Sequence, residues 1–303
     1  MLGKIFSPKN NGFLLSNAFG IATIGISKLL MKDFNGTLIF SEFVIVPFLM
    51  GIVSAWFWRN INFGSRQLAA WACYNTLIAI LLSAIILKEG VICLIIVSPL
   101  LMAFIIMGSS VGYKMFKKNN QTLNVSVFVM LFGIFIFDSL SVHHYENKVA
   151  DTMVINAPPA EVWKYVVAYK RIETPGKYWL FRIGMPSPVQ STAEGYYLGA
   201  KRKCIFSNGY VFDEKIVTYD ENKDLTFDIT NQPRDPEIMG HIDILRGQFL
   251  LKDNHDGTTT LTGNSWYRLY VFPVWYYDIW AESVTRNVHL RVMEHIKELS
   301  ETK

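Results

Sequence analysis

The C-terminal end of the chain holds the residues with the clearest capacity for chemistry. Asp278, Glu282, Thr285 and His289 follow one another at intervals of four, three and four residues, which places them along one edge of a helix. Glu282 and His289 can orient a ligand hydroxyl or move a proton, since acid and base groups act on atoms within hydrogen-bond reach. The same pattern is typical of a solvated helix edge or of a histidine bonded to a neighbouring sheet. The spacing therefore leaves binding, catalysis and a purely structural role open.

One long amphipathic helix over 276–300 must carry these residues. Its apolar stripe comprises Tyr277, Ala281, Val284, Val288, Val292 and Leu299, which recur at helical spacing. A short helix is predicted at 160–170, after proline residues that favour a helix start. Alternating apolar residues and turn signals predict strands near 151–156, 196–206, 210–219, 224–231, 243–252 and 258–270. This order predicts an α+β domain built on an antiparallel sheet.

Four segments of this domain resemble a known superfamily. The segment 154–163 (VINAPPAEVW) resembles the opening of SRPBCC domains, which include START-related and polyketide cyclase domains. The segments 203–209 (KCIFSNG), 246–249 (RGQF) and 289–297 (HLRVMEHIK) resemble bacterial members with membrane spans before the domain. The resemblance implies a helix-grip fold, in which the sheet wraps around the C-terminal helix. Members of this kind are described as lipid-transport or polyketide cyclase/dehydrase domains. The resemblance implies no catalytic residue, because fold does not determine function.

A sheet wrapped on one helix leaves a wedge, and the chain has enough aromatic residues to line it. We expect a cavity for a lipid or another hydrophobic small molecule. The alternatives are a core filled by these aromatic side chains and a surface patch that meets the membrane. The predicted ligand-binding residues are aromatic residues of the domain and two titratable groups of the helix: Trp179, Phe181, Phe206, Phe227, Trp266, Tyr267, Trp280, Glu282 and His289. The basic run Lys201, Arg202 and Lys203 is expected to face solvent, with contact to lipid headgroups as the alternative.

The N-terminal half has the composition of a membrane protein. Five apolar runs cover 13–31, 38–58, 68–87, 91–112 and 123–142, each near the ~20 residues that a transmembrane helix needs. The first 142 residues hold 10 Lys and Arg against 4 Asp and Glu, whereas the remaining 161 hold 19 against 21. We predict a membrane domain of about five transmembrane helices over 1–145 and a helix-grip domain over 150–303. The first run is the weakest span, with an interfacial helix as the alternative.

Charge and cysteine content exclude several classes of partner. The net charge of +4 arises between the apolar runs, so it gives no reason to expect nucleic-acid binding. Cys73, Cys93 and Cys204 show no disulfide or metal spacing, and we expect no metal and no cofactor.

The leading hypothesis is a membrane-anchored module that binds a lipid or another hydrophobic small molecule, with a role in transfer or sensing. A cyclase or hydrolase using the same cavity is one alternative. The other is a structural or partner-docking protein with a filled core. Partners are therefore membrane lipid and a hydrophobic ligand, and the sequence identifies no protein partner.

Basic residues predict the orientation of the membrane domain. Seven lie on the side of the amino terminus (Lys4, Lys9, Arg59, Arg66, Lys114, Lys117 and Lys118) and three on the other side (Lys28, Lys32 and Lys88). Because short basic loops stay in the cytoplasm, the amino terminus is predicted to be cytoplasmic. After five crossings of the plasma (inner) membrane, the C-terminal domain is predicted to be extracytoplasmic.

This orientation is tested by labelling intact cells with a membrane-impermeant maleimide. Cys204 and a cysteine engineered into the loop at 254–257 are expected to react from outside. Protection of both sites until the cells are lysed would contradict the orientation.

Overall fold

The computed structural model describes residues 7–30, 41–118, 133, 145–233, 242–271 and 273–302. The chain divides into two compact units. The first comprises Met1–His143 with Val271–Pro273, and the second comprises His144–Tyr270 with Val274–Lys303. Apart from Gly133, the predicted span at 123–142 lies outside the described residues.

The described part of the first unit is helical. Its helices are α1 (Pro8–Leu30), α2 (Val46–Trp58, preceded by a π-helical turn at Ser41–Ile45), α3 (Ser65–Leu82, continued as a π-helix over Ser83–Leu87) and α4 (Val91–Lys118). By length and composition, Ser65–Leu87 and Val91–Lys117 can each cross a membrane, whereas the apolar helix Phe43–Trp58 is shorter. Helices α1 to α4 coincide with the first four predicted runs. The number of spans and their orientation stay predictions.

Glycines let α2 and α4 pack backbone to backbone. A Cβ atom at Gly51 would lie 2.3 Å from the carbonyl oxygen of Ile105, and one at Gly108 would lie 2.0 Å from that of Phe48. No side chain fits at either position, since such distances are below van der Waals contact. Small residues that allow close helix approach are typical of helix pairs in membranes.

Buried polar side chains connect three helices of this unit. The Asn75 side chain on α3 accepts hydrogen bonds from Ser16 Oγ (3.1 Å) and Asn17 Nδ2 (2.7 Å) on α1, and donates to Ser54 Oγ (2.9 Å) on α2. All four residues are buried. Because unpaired polar groups in an apolar core are costly, this network fixes how α1, α2 and α3 face one another.

The second unit is one antiparallel sheet with helices. Its strands are β1 (Tyr145–Ile155), β2 (Pro188–Ala193), β3 (Lys201–Phe206), β4 (Val211–Asp220), β5 (Asp224–Asn231), β6 (Ile242–Asp253) and β7 (Thr259–Leu269). They pair in the order β1-β7-β6-β5-β4-β3-β2. The helices are α5 (Pro159–Val166), the single turn α6 (Trp179–Arg182) and α7 (Val274–Glu301). A seven-stranded antiparallel sheet with a long C-terminal helix is the architecture expected of a helix-grip domain.

Helix α7 packs its apolar stripe on the inner face of this sheet. Met293 and Ile296 on α7 are fully buried with Leu225, Leu261 and Ile155 of three strands. Side chains alternate between the two faces of each strand, so the residues between these point away from α7. Strand β2 was not predicted, because Pro188 begins it and its six residues carry little alternating hydrophobicity.

Candidate functional site

A cavity of about 160 Å³ lies between the sheet and α7. Its wall is mostly apolar and comes from β3 to β7, from α7 and from the loop before β2. The apolar side chains include Met185, Phe206, Phe212, Phe227, Ile229, Ile242, Ile244, Phe249, Val284, Val288 and Val292. A ligand in this space would meet aromatic and aliphatic side chains on most sides.

A bulge in β6 brings residues of both parities into this wall. The pairing of β6 with β7 shifts between Ile244 and Arg246, so residue numbers facing the cavity change from even to odd along the strand. Ile242 and Ile244 line the cavity before the bulge, and Phe249 lines it after. Strict alternation along the sequence cannot produce this arrangement.

A chain of hydrogen bonds joins α7 to two strands at the edge of the cavity. His289 Nδ1 lies 3.0 Å from Asp151 Oδ2 on β1, and His289 Nε2 lies 2.7 Å from Ser265 Oγ on β7. The side chains of His289 and Asp151 are 6% and 11% exposed. Ser265 and His289 both line the cavity. The hydrogen bonds therefore run from a carboxylate through an imidazole to a hydroxyl group in the cavity wall.

The residues around Asp151 and His289 explain why these hydrogen bonds form. Asp151 also contacts the Arg286 guanidinium, with 3.2 Å between Nε and Oδ1. The strand partner of Asp151 on β7 is Gly263, where a Cβ atom would lie 3.6 Å from His289 Cγ and 3.0 Å from Met293 Sδ. Glycine at this position lets the helix and its imidazole lie close to the sheet.

Glu282 does not join His289. It is exposed and pairs with Arg286 one turn along α7, at 3.1 Å. The proton-transfer pair considered from the sequence, Glu282 with His289, is therefore not formed, because the acidic partner of the imidazole comes from β1. Asp278 accepts a 2.6 Å hydrogen bond from the buried Tyr267 hydroxyl. Burial and this bond raise the pKa of Tyr267.

A second polar group in the wall is a buried ion pair. Arg202 on β3 and Glu214 on β4 are 3% and 4% exposed and pair side chain to side chain. Arg202 Nε also donates to the Val167 carbonyl oxygen at 2.8 Å, and its guanidinium lies 4.4 Å from the centre of the Phe227 ring. Burial alone would lower the pKa of the guanidinium, but the neighbouring Glu214 carboxylate raises it. Arg202 therefore remains charged.

The expectation that Arg202 faces solvent was wrong. Lys201 and Lys203 are exposed, but Arg202 between them is buried, because successive residues of a strand point to opposite faces. The signal was present in the sequence, since Arg202, Cys204 and the predicted cavity residue Phe206 alternate along one strand.

Cys204 shares this part of the cavity wall. Burial, and next the Glu214 carboxylate, raise the pKa of its thiol to about 12. Such a thiol stays protonated at neutral pH and reacts slowly with maleimides. The engineered cysteine at 254–257 is therefore the informative site for membrane orientation.

The predicted ligand-binding residues fall into three groups. Phe206, Phe227 and His289 line the cavity. Trp179, Phe181 and Trp280 belong to a separate aromatic group with Tyr178, with ring centres 5.2 to 6.4 Å apart.

The remaining three residues, Trp266, Tyr267 and Glu282, do not line the cavity. Tyr267 is buried at Asp278, Trp266 packs under Lys148 at 4.7 Å, and Glu282 is in solvent. Trp266 and Tyr267 are adjacent in β7 and so cannot both face α7. The ligand-binding role of all nine residues stays a prediction.

Sequence reasoning missed Asp151, Ser265 and the Arg202–Glu214 pair. Asp151 and His289 are 138 residues apart, and no local pattern connects them. Among the described residues, no group of three His, Cys, Asp or Glu side chains is arranged to hold a metal ion.

Comparisons with known proteins give structural likenesses alone. No protein-family model matches the chain, and no curated protein matches it. A truncated norcoclaurine synthase from Thalictrum flavum is 11% identical, with a TM-score of 0.38, covering 54% of this chain and 98% of the other. A structural-genomics protein from Mesorhizobium loti is 17% identical, with a TM-score of 0.34, covering 52% and 99%. Values this low assign neither an activity nor a ligand.

The buried ion pair gives a prediction about stability. Arg202→Met or Glu214→Leu alone is expected to destabilise the domain by about 3–5 kcal/mol, because each leaves an unpaired buried charge. The double variant is expected to recover most of this loss. The measurement is the denaturant midpoint of the full chain, with hydrogen exchange of the β3 and β4 amides as the probe of unfolding. Costs that simply add in the double variant would contradict the coupling.

Proposed function

We propose that the C-terminal domain binds a small hydrophobic molecule in the cavity between its sheet and α7. The observation that carries this proposal is the cavity of about 160 Å³, whose wall is largely apolar. Filling an apolar, poorly hydrated space with an apolar ligand is favourable, because the wall gains contacts that it lacks when empty.

The volume of the cavity limits the ligand. An apolar cavity of about 150 Å³ accommodates benzene, so about 160 Å³ fits one ring or a short chain. A phospholipid with two acyl chains is much larger. We therefore propose a small hydrophobic metabolite as the ligand, which narrows the expectation of a lipid.

We further propose that the helices before this domain anchor it in a membrane. Leu77, Leu81 and Ile85 on α3 and its continuation are at least 60% exposed, as is Val91 at the start of α4. Large aliphatic side chains exposed along helices long enough to span a bilayer favour contact with lipid. The proposed organisation is about five spans over 1–145, a cytoplasmic amino terminus and an extracytoplasmic helix-grip domain over 150–303.

An enzyme acting in the same cavity is the alternative that the Asp151–His289–Ser265 chain raises. A serine nucleophile needs donors for the oxyanion that forms at the carbonyl, usually backbone N–H groups. Ser265 lies in β7, which pairs with β1 on one side and β6 on the other. Its backbone is therefore occupied by the sheet. This constraint favours binding over acyl transfer.

Binding is tested with toluene as the probe, by calorimetric titration of the full chain in lipid nanodiscs with empty nanodiscs subtracted. We expect a dissociation constant of about 0.1–1 mM, which seven non-hydrogen atoms can supply. Val288→Phe should lower the affinity at least about tenfold, because the larger ring fills the cavity.

Ile279→Phe is the matched control. Ile279 lies on the same helix but is 63% exposed, so this variant should bind toluene like the wild type. The proposal would be contradicted if toluene did not bind to the wild type, or if it bound equally well to Val288→Phe and Ile279→Phe.

A further inference from the structure

We propose that Ser265 is the residue that anchors the ligand, and that its hydroxyl oxygen does so as a hydrogen-bond acceptor. The cavity would then select a small hydrophobic molecule that carries one hydrogen-bond donor, such as an alcohol. This inference rests on the proposed binding function and adds the chemical class of the ligand.

The direction of the hydrogen bonds begins at Asp151. An ionised carboxylate can only accept hydrogen bonds, and Asp151 pairs with the Arg286 guanidinium, with 3.2 Å between Nε and Oδ1. His289 Nδ1, 3.0 Å from Asp151 Oδ2, must therefore carry the proton. The other tautomer would place a nitrogen lone pair against the carboxylate.

The next step fixes the role of Ser265. In a neutral imidazole that is protonated at Nδ1, Nε2 has no proton and accepts. Ser265 Oγ, 2.7 Å from Nε2, is then the donor in this contact. A serine hydroxyl has one proton, so what remains for the cavity is the lone pairs of Oγ. A ligand that reaches Ser265 must bring its own proton.

The strongest donor elsewhere in the wall is already engaged. The Arg202 guanidinium bonds to Glu214 and to the Val167 carbonyl oxygen. Thr285 is one helical turn from His289 and also lines the cavity, but it is not part of the hydrogen-bond chain. Thr285 therefore provides a matched hydroxyl for a control variant.

The test compares cyclohexanol with cyclohexanone, which share a six-membered ring but differ in whether the oxygen can donate. Titrations use the full chain in nanodiscs at pH 8, where ordinary imidazole groups are neutral. We expect the wild type to bind the alcohol about five to ten times more tightly than the ketone, the effect of one neutral hydrogen bond. In Ser265→Ala this ratio should fall to about one, whereas Thr285→Val should retain it.

Asp151→Asn tests the role of the carboxylate as the group that sets the direction. The new amide oxygen would accept from Arg286, leaving the NH₂ group to face Nδ1 of His289. The imidazole proton then moves to Nε2, and Ser265 becomes free to donate into the cavity. We expect the ratio to fall to about one, because the oxygen of the alcohol and that of the ketone can both accept from Ser265. A merely structural role for Asp151 would leave the ratio unchanged.

The outcomes separate this inference from the binding proposal. Toluene should bind the wild type, Ser265→Ala and Asp151→Asn within about twofold, which shows that each cavity is intact. If toluene binds but the alcohol is not preferred, the donor inference fails and the binding proposal stands. A preference that survives in Ser265→Ala, or a ratio unchanged in Asp151→Asn, would also overturn the inference.

Discussion

The second unit depends on the packing of α7 against the inner face of the sheet. Apolar burial supplies most of the stabilisation, through residues such as Met293 and Ile296 that are fully buried. Two polar ties add direction: Asp278 bonds to Tyr267, and His289 bonds to Asp151 and Ser265. Apolar contacts alone would tolerate rotation or sliding of the helix. The polar ties do not, because each buried group needs its particular partner.

The cavity follows from how this packing ends. Near Met293 the helix lies directly on the sheet, where Gly263 removes a side chain from the interface. Towards Val288 and Val284 the helix side chains are smaller, and the facing strands leave the space of about 160 Å³. The same helix therefore closes the core at one end and forms a binding wall next to it.

Polar groups in an otherwise apolar wall are costly to bury, and two of them here have hydrogen-bond partners within the protein. Arg202 is compensated by Glu214 and a carbonyl oxygen, and His289 by Asp151 and Ser265. Each set presents a defined hydrogen-bond surface to the cavity. A wall of this kind distinguishes ligands by where they carry a polar group, because an unmatched group loses its hydrogen bonds to water.

The sequence by itself determined most elements of the second unit, strand β2 excepted. Period-2 alternation in β5 and the helical stripe of α7 predicted antiparallel strands followed by an amphipathic terminal helix. The resemblance to SRPBCC domains implied that the sheet wraps around this helix. Phe206, Phe227 and His289 were assigned to the wedge, and they line the cavity. Alternation along β3 also indicated the buried position of Arg202, although the run of three basic residues led to the prediction that it faces solvent.

The tertiary structure alone decided which distant residues meet. Asp151 reaches His289 because β1 pairs with β7 at the edge of the sheet, and the bulge in β6 changes which residues face the cavity. Glu282 and His289 share a helix but not a partner. Periodicity defines the face of one element, whereas contacts between elements depend on strand order, register and helix rotation, which are set by packing of the whole domain.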